Sequence, residues 1–91
     1  MESNELLKNY REQIDTLDYE IIYLLSRRFA LVKEIWKIKK ENNKKILQSK
    51  RWKELMKNLL SEAKNRNVDK DLVSTIWDLI HKESLILESK I

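Results

Sequence analysis

An all-α fold follows from three features of this 91-residue chain. Glycine and proline are both absent, which excludes glycine-rich phosphate loops and the tight turns that β-hairpins favour. Charged residues make up 37% of the chain, and strong helix formers fill it throughout. Apolar residues recur in steps of four and three, the spacing of one face of a helix.

The first predicted helix runs from about Asn4 to about Glu41. Tyr10, Ile14, Leu17, Ile21, Leu24, Arg28, Leu31, Ile35 and Ile38 follow one another without a break, as in the seam of a helix packed against other helices. Ser3 is the expected N-cap, with Glu5 in the first turn. The pattern ends at KKENNKK, where two asparagines and dense charge favour a loop. At about 1.5 Å per residue the helix exceeds roughly 50 Å, longer than a compact domain of this size. A partner must cover it, which predicts an intertwined homodimer.

The second helix starts near Ser49, its expected N-cap. Its apolar face is Trp52, Leu55, Met56, Leu59, Leu60 and Ala63, and Asn67 suits a left-handed C-terminal position. The third starts at an Asp69 cap, with Asp71 in its first turn and Val68 placed to staple onto Val73. Its expected inward residues are Leu72, Val73, Ile76, Trp77, Leu79, Ile80 and Leu87. No linker or repeat divides the chain, so residues 1–91 read as one domain.

Composition narrows the function. Cysteine is absent and histidine occurs once, which leaves no thiolate or histidine metal site and argues against a Ser/His triad. No run approaches the roughly 20 apolar residues of a membrane span. The opening MESNELLKNYREQ lacks the apolar centre of a signal peptide, so the expected location is cytoplasmic. The net charge of +4 suits a small anion as well as nucleic acid. Acids interleave with the bases on every polar face, which argues against nucleic acid.

Two cations break the apolar pattern of helix 1. Arg28 lies on the seam, and Lys39, eleven positions on, lies about 20° from it in helical phase. Arg11 lies about 100° out of phase with Arg28 and some 25 Å away, so any role for it falls at a second, symmetry-related site. In helix 2, Gln48, Arg51, Trp52 and Leu55 share a face. In helix 3, Trp77, His81, Ser84 and Glu88 form a column. Arg28, Lys39, Gln48, Arg51, Ser84 and Glu88 then make a constellation suited to a small dicarboxylate held by arginine forks. Each residue also has a plain reading. Arg28 equally snorkels to solvent, whereas Lys39 more simply belongs to a solvated lysine-rich helix end, and the tryptophans and His81 more simply serve packing. The geometry alone supports a helical dimer with an anion pocket and no more.

Three stretches carry a resemblance: YREQIDTLDYEIIYLLSRRFALVKEIWKIKK, then ILQSKRW, then IHKESLILESK. Together they resemble the all-helical, type II chorismate mutase family across nearly the whole chain. The resemblance implies a dimer of three-helix chains in which each long helix serves two active sites. It places Arg28, Lys39, Arg51 and Ser84 on substrate-binding positions, and Arg11 on the arginine that crosses to the partner's site. The implied reaction is the unimolecular Claisen rearrangement of chorismate to prephenate, which requires no cofactor. In it Arg28 grips a carboxylate and Lys39 meets the charge developing on the breaking ether oxygen.

Three positions depart from the family pattern. Gln48 stands where many members have Asp. Trp52 stands where many have a Glu that accepts from the ring hydroxyl, and indole donates but does not accept. The pairing LQ-x-x-RW looks like a recurring subgroup pattern. Glu88 stands where Gln is usual. An ionised carboxylate there would repel the ether oxygen, so Glu88 is expected to act as a neutral acid, kept so by partial burial. Two sister reactions share the fold: isochorismate–pyruvate lysis, and a mutase reaction on an aminated chorismate. A non-catalytic helical dimer is the remaining alternative.

Overall fold

The computed structural model describes residues 2–41 and 49–90. They form three helices, α1 (Ser3–Glu41), α2 (Ser49–Asn65) and α3 (Lys70–Ser89), and no strand occurs among them. The chain gathers into two compact units, Met1–Leu31 and Val32–Ile91, with the border inside α1.

The first unit is the N-terminal part of α1. Its start lies one residue earlier than expected. The Glu2 carbonyl accepts from the Leu6 N–H at 2.9 Å, so Glu2 holds the capping position and Ser3 is already helical. From Glu2 to Leu24 every residue is exposed. Leu25, Arg28 and Phe29 are half-buried.

The seam expected to pack against other helices stays open in the single chain. Its apolar members from Tyr10 to Ile38 are 49–63% exposed in the single chain. The side of α1 that loses exposure is instead Leu25, Arg28, Phe29, Val32, Trp36 and Lys39. These positions also follow three-and-four spacing, centred about 60° further round the helix. Arg28 and Lys39 lie at the edge shared by the two stripes.

The second unit holds residues 32–41 of α1 together with α2 and α3. α2 and α3 pack on each other. Its buried apolar residues are Ala63, Val73 and Ile80, with Trp52, Leu55, Met56, Leu59, Leu60, Trp77 and Leu87 half-buried around them. The α2 face is therefore the expected one. On α3, Val73 and Ile80 turn inward as expected, but Leu72, Ile76 and Leu79 remain exposed in the single chain.

The connection between α2 and α3 is a Schellman turn built without glycine. Asn67 adopts φ 57°, a left-handed conformation that Asn tolerates better than most residues. The Val68 N–H then donates to the Ala63 carbonyl at 2.8 Å, and the Asn67 N–H to that of Lys64 at 3.3 Å. Two residues on, the Asp69 carboxylate accepts from the Leu72 N–H at 2.9 Å and caps α3. Reversal and restart thus take four residues, 66–69, which brings α3 back along α2.

Candidate active site

Lys39 is the centre of the site. It stands in the last turn of α1, where its charge complements the helix dipole. Yet it is only 6% exposed, and its Nζ has no hydrogen-bond partner in the described chain. The ammonium lies over the Trp36 ring, 4.1 Å from its centroid. Burial pushes the Lys39 ammonium below the ordinary lysine value of 10.5. The Glu88 charge pulls it back up, and the Arg51 charge pushes it further down. So Lys39, from the end of α1, feels an arginine of α2 and a glutamate of α3.

Ser84, one turn before Glu88 on α3, is the other buried polar residue among the described residues of this unit. Its Oγ donates to the Ile80 carbonyl at 3.0 Å. That bond uses the single hydroxyl proton, so donation to a ligand requires the hydroxyl to rotate away from its own helix. Arg51 is exposed, leaving its guanidinium available to an incoming anion. Trp52 and His81 face each other between α2 and α3, with ring centroids 4.6 Å apart and planes 35° from parallel. The indole expected at the site is therefore also a packing element, and His81 serves that packing.

Glu88 differs from expectation. It is exposed in the single chain, so the partial burial expected to keep it neutral is not supplied by its own subunit. Arg11 is exposed and Arg28 half-buried, both in the first unit. Gln48 lies outside the described residues. The placement of Trp36 under the Lys39 ammonium was missed, although its position three before Lys39 on one helix was the available signal.

A buried ammonium with a guanidinium close enough to act on its charge is suited to an anion. A buried cation without an acceptor costs on the order of several kcal/mol, and an anionic ligand offsets that cost. Among the described residues no group of histidine, aspartate and glutamate is arranged to hold a metal ion.

Residues 10–89 match the chorismate mutase type II family. The chain is 31% identical, over all 91 residues, to bifunctional chorismate mutase/prephenate dehydratases of two Buchnera aphidicola subspecies, Acyrthosiphon pisum and Schizaphis graminum, covering 24% of each. It is 29% identical over 86 residues, 94% of its length, to the T-protein of Haemophilus influenzae, covering 23% of that protein. The chain thus spans about a quarter of the length of the curated relatives it matches. No solved structure matches it. A family match over nearly the whole chain, on the three-helix framework that carries the buried Lys39, has one conclusion: this chain belongs to the chorismate mutase type II family.

Proposed function

We propose that the chain is a chorismate mutase domain of aromatic amino acid biosynthesis, converting chorismate to prephenate. The observation that carries this reading is Lys39, an ammonium buried without a hydrogen-bond acceptor among the described residues, beside Arg51 and Glu88. In the rearrangement one ether C–O bond breaks as a C–C bond forms within the same molecule. No electrons or protons need leave the substrate. The protein contributes by holding the two reacting ends together and by stabilising charge.

Arg28, Arg51 and the partner subunit's copy of Arg11 bind the two carboxylates, Ser84 and Gln48 add polar contacts, and Trp52 lines the ring side. Lys39 donates to the ether oxygen as it gains negative charge, an interaction stronger in the transition state than in the ground state. Glu88 adds a polar group that faces Lys39 from α3.

The homodimer is part of the proposal. Eight apolar seam residues are about half exposed or more, and covering them adds on the order of 1 kcal/mol each. An unpartnered stripe of that size is an association surface. Cytoplasmic location completes the reading; among the described residues no helix is long and apolar enough to cross a membrane.

The test is loss of chorismate absorbance with purified protein, with product identification, for the parent, Arg28→Ala and Lys39→Ala. Prephenate from the parent and its loss in both variants are expected. No turnover, or variants as fast as the parent, would sink the assignment. Pyruvate from isochorismate instead of prephenate would move it to the lyase reaction.

A further inference from the structure

We propose that Trp36 is a positioning residue for Lys39, its ring face holding the ammonium in place as a cation. The proposal rests on the reading of Lys39 as the group that meets the ether oxygen.

Trp36 and Lys39 are three apart on α1, so their side chains rise from one face. The ammonium sits 4.1 Å from the ring centroid, well inside the range of a cation–π contact. Lys39 is more than nine-tenths buried and its Nζ has no hydrogen-bond partner in the described chain. Something must offset its desolvation. Among the described residues the charged groups facing it are Glu88 from α3, which favours the cation, and Arg51 from α2, which opposes it. Both are exposed, where solvent weakens them.

The indole face differs from a carboxylate in a way that matters for catalysis. A carboxylate hydrogen-bonded to Lys39 would stabilise the charge but occupy its N–H groups. Substrate would then have to break that bond. A π face attracts the charge through its quadrupole and accepts no fixed hydrogen bond. The ammonium is thus stabilised while its donors stay free for the oxygen that becomes negative. The ring also limits the rotamers of a long, flexible stem, so less entropy is lost when the transition state forms.

A side chain that only filled space would make Lys39 indifferent to the electronics of the ring. The decisive series therefore keeps volume and varies the quadrupole: mono-, di-, tri- and tetrafluorotryptophan placed at position 36 alone, beside Trp36→Phe and Trp36→Leu. Two readouts apply: the protonation midpoint of Lys39 by NMR of its side chain, assigned with Lys39→Arg, and the pH profile of kcat/KM. Each added fluorine is expected to move the midpoint and the alkaline limb to lower pH. Trp36→Leu is expected to lose roughly two- to fivefold in kcat/KM at mildly alkaline pH, with Trp36→Phe in between. An unchanged midpoint across the fluorinated series, with Lys39→Ala inactive, overturns the proposal and leaves the functional reading standing. Lys39→Ala as fast as the parent overturns both.

Discussion

The Trp52 indole and the His81 imidazole stack 4.6 Å apart and tie α2 to α3. The pair is expected to stabilise the second unit beyond the area that each ring buries. A double-mutant cycle of Trp52→Leu and His81→Leu, followed by chemical denaturation, should give a coupling of about 0.5–1.5 kcal/mol. Additive losses would mean that the rings touch without mutual stabilisation.

Lys39→Met should separate stability from activity. Removing a buried ammonium that lacks an acceptor among the described residues should raise stability by about 1 kcal/mol or more. The same change should lower kcat/KM by roughly a hundred- to a thousandfold, the scale of one lost transition-state donor. The pH dependence has a definite sign. The folded-state pKa of Lys39 is depressed, so between that value and the ordinary 10.5 the unfolded chain binds the extra proton. Across that window the parent should gain stability as pH rises, and Lys39→Met should lack that gain. Denaturation midpoints of the two proteins at stepped pH measure the difference.

Lys39 should give the activity profile a descending alkaline limb, because kcat/KM falls as the ammonium loses its proton. Glu88→Gln should keep that limb. A parent profile that stays flat into the alkaline range would exclude Lys39 as the donor to the ether oxygen.

The exposed seam predicts association and shared sites. Ile14→Glu and Ile21→Glu should shift the protein to monomer in sedimentation velocity and abolish turnover. Mixing inactive Arg11→Ala and Lys39→Ala chains should rescue activity, because half of a random mixture pairs unlike chains and each such dimer holds one intact site. The expected recovery is about a quarter of the parent's activity. No recovery would mean that Arg11 serves its own subunit.

The α2–α3 connection should respond to local backbone chemistry alone. Asn67→Val is expected to destabilise by about 1 kcal/mol or more through its left-handed φ, and Asp69→Ala by about 1 kcal/mol through loss of the cap. Thermal melts of the two variants check both figures.

These last two residues also show which parts of the fold were legible beforehand. Asn67 and Asp69 act on backbone groups within five residues, so their roles followed from order in the chain. The α2 face was legible for the same reason, since one helix stripe had one neighbour to meet. Ser3 was misread by one position because a cap depends on which carbonyl closes the first turn. Which chain covers the seam of α1 was not legible for a larger reason. Two apolar stripes run along one helix, and periodicity alone does not tell which one its own chain covers.

The sequence by itself determined an all-α chain, the three helix spans, the turn between α2 and α3, and the cations that suit a dianion. Those properties depend on local spacing and residue chemistry. Only the tertiary structure decided that Lys39 is buried while Glu88 and Arg51 are exposed, that Ser84 spends its proton on Ile80, and that Trp36 lies beneath the ammonium. Burial and side-chain rotamers depend on what packs from elsewhere in the chain, and no spacing along one helix specifies them.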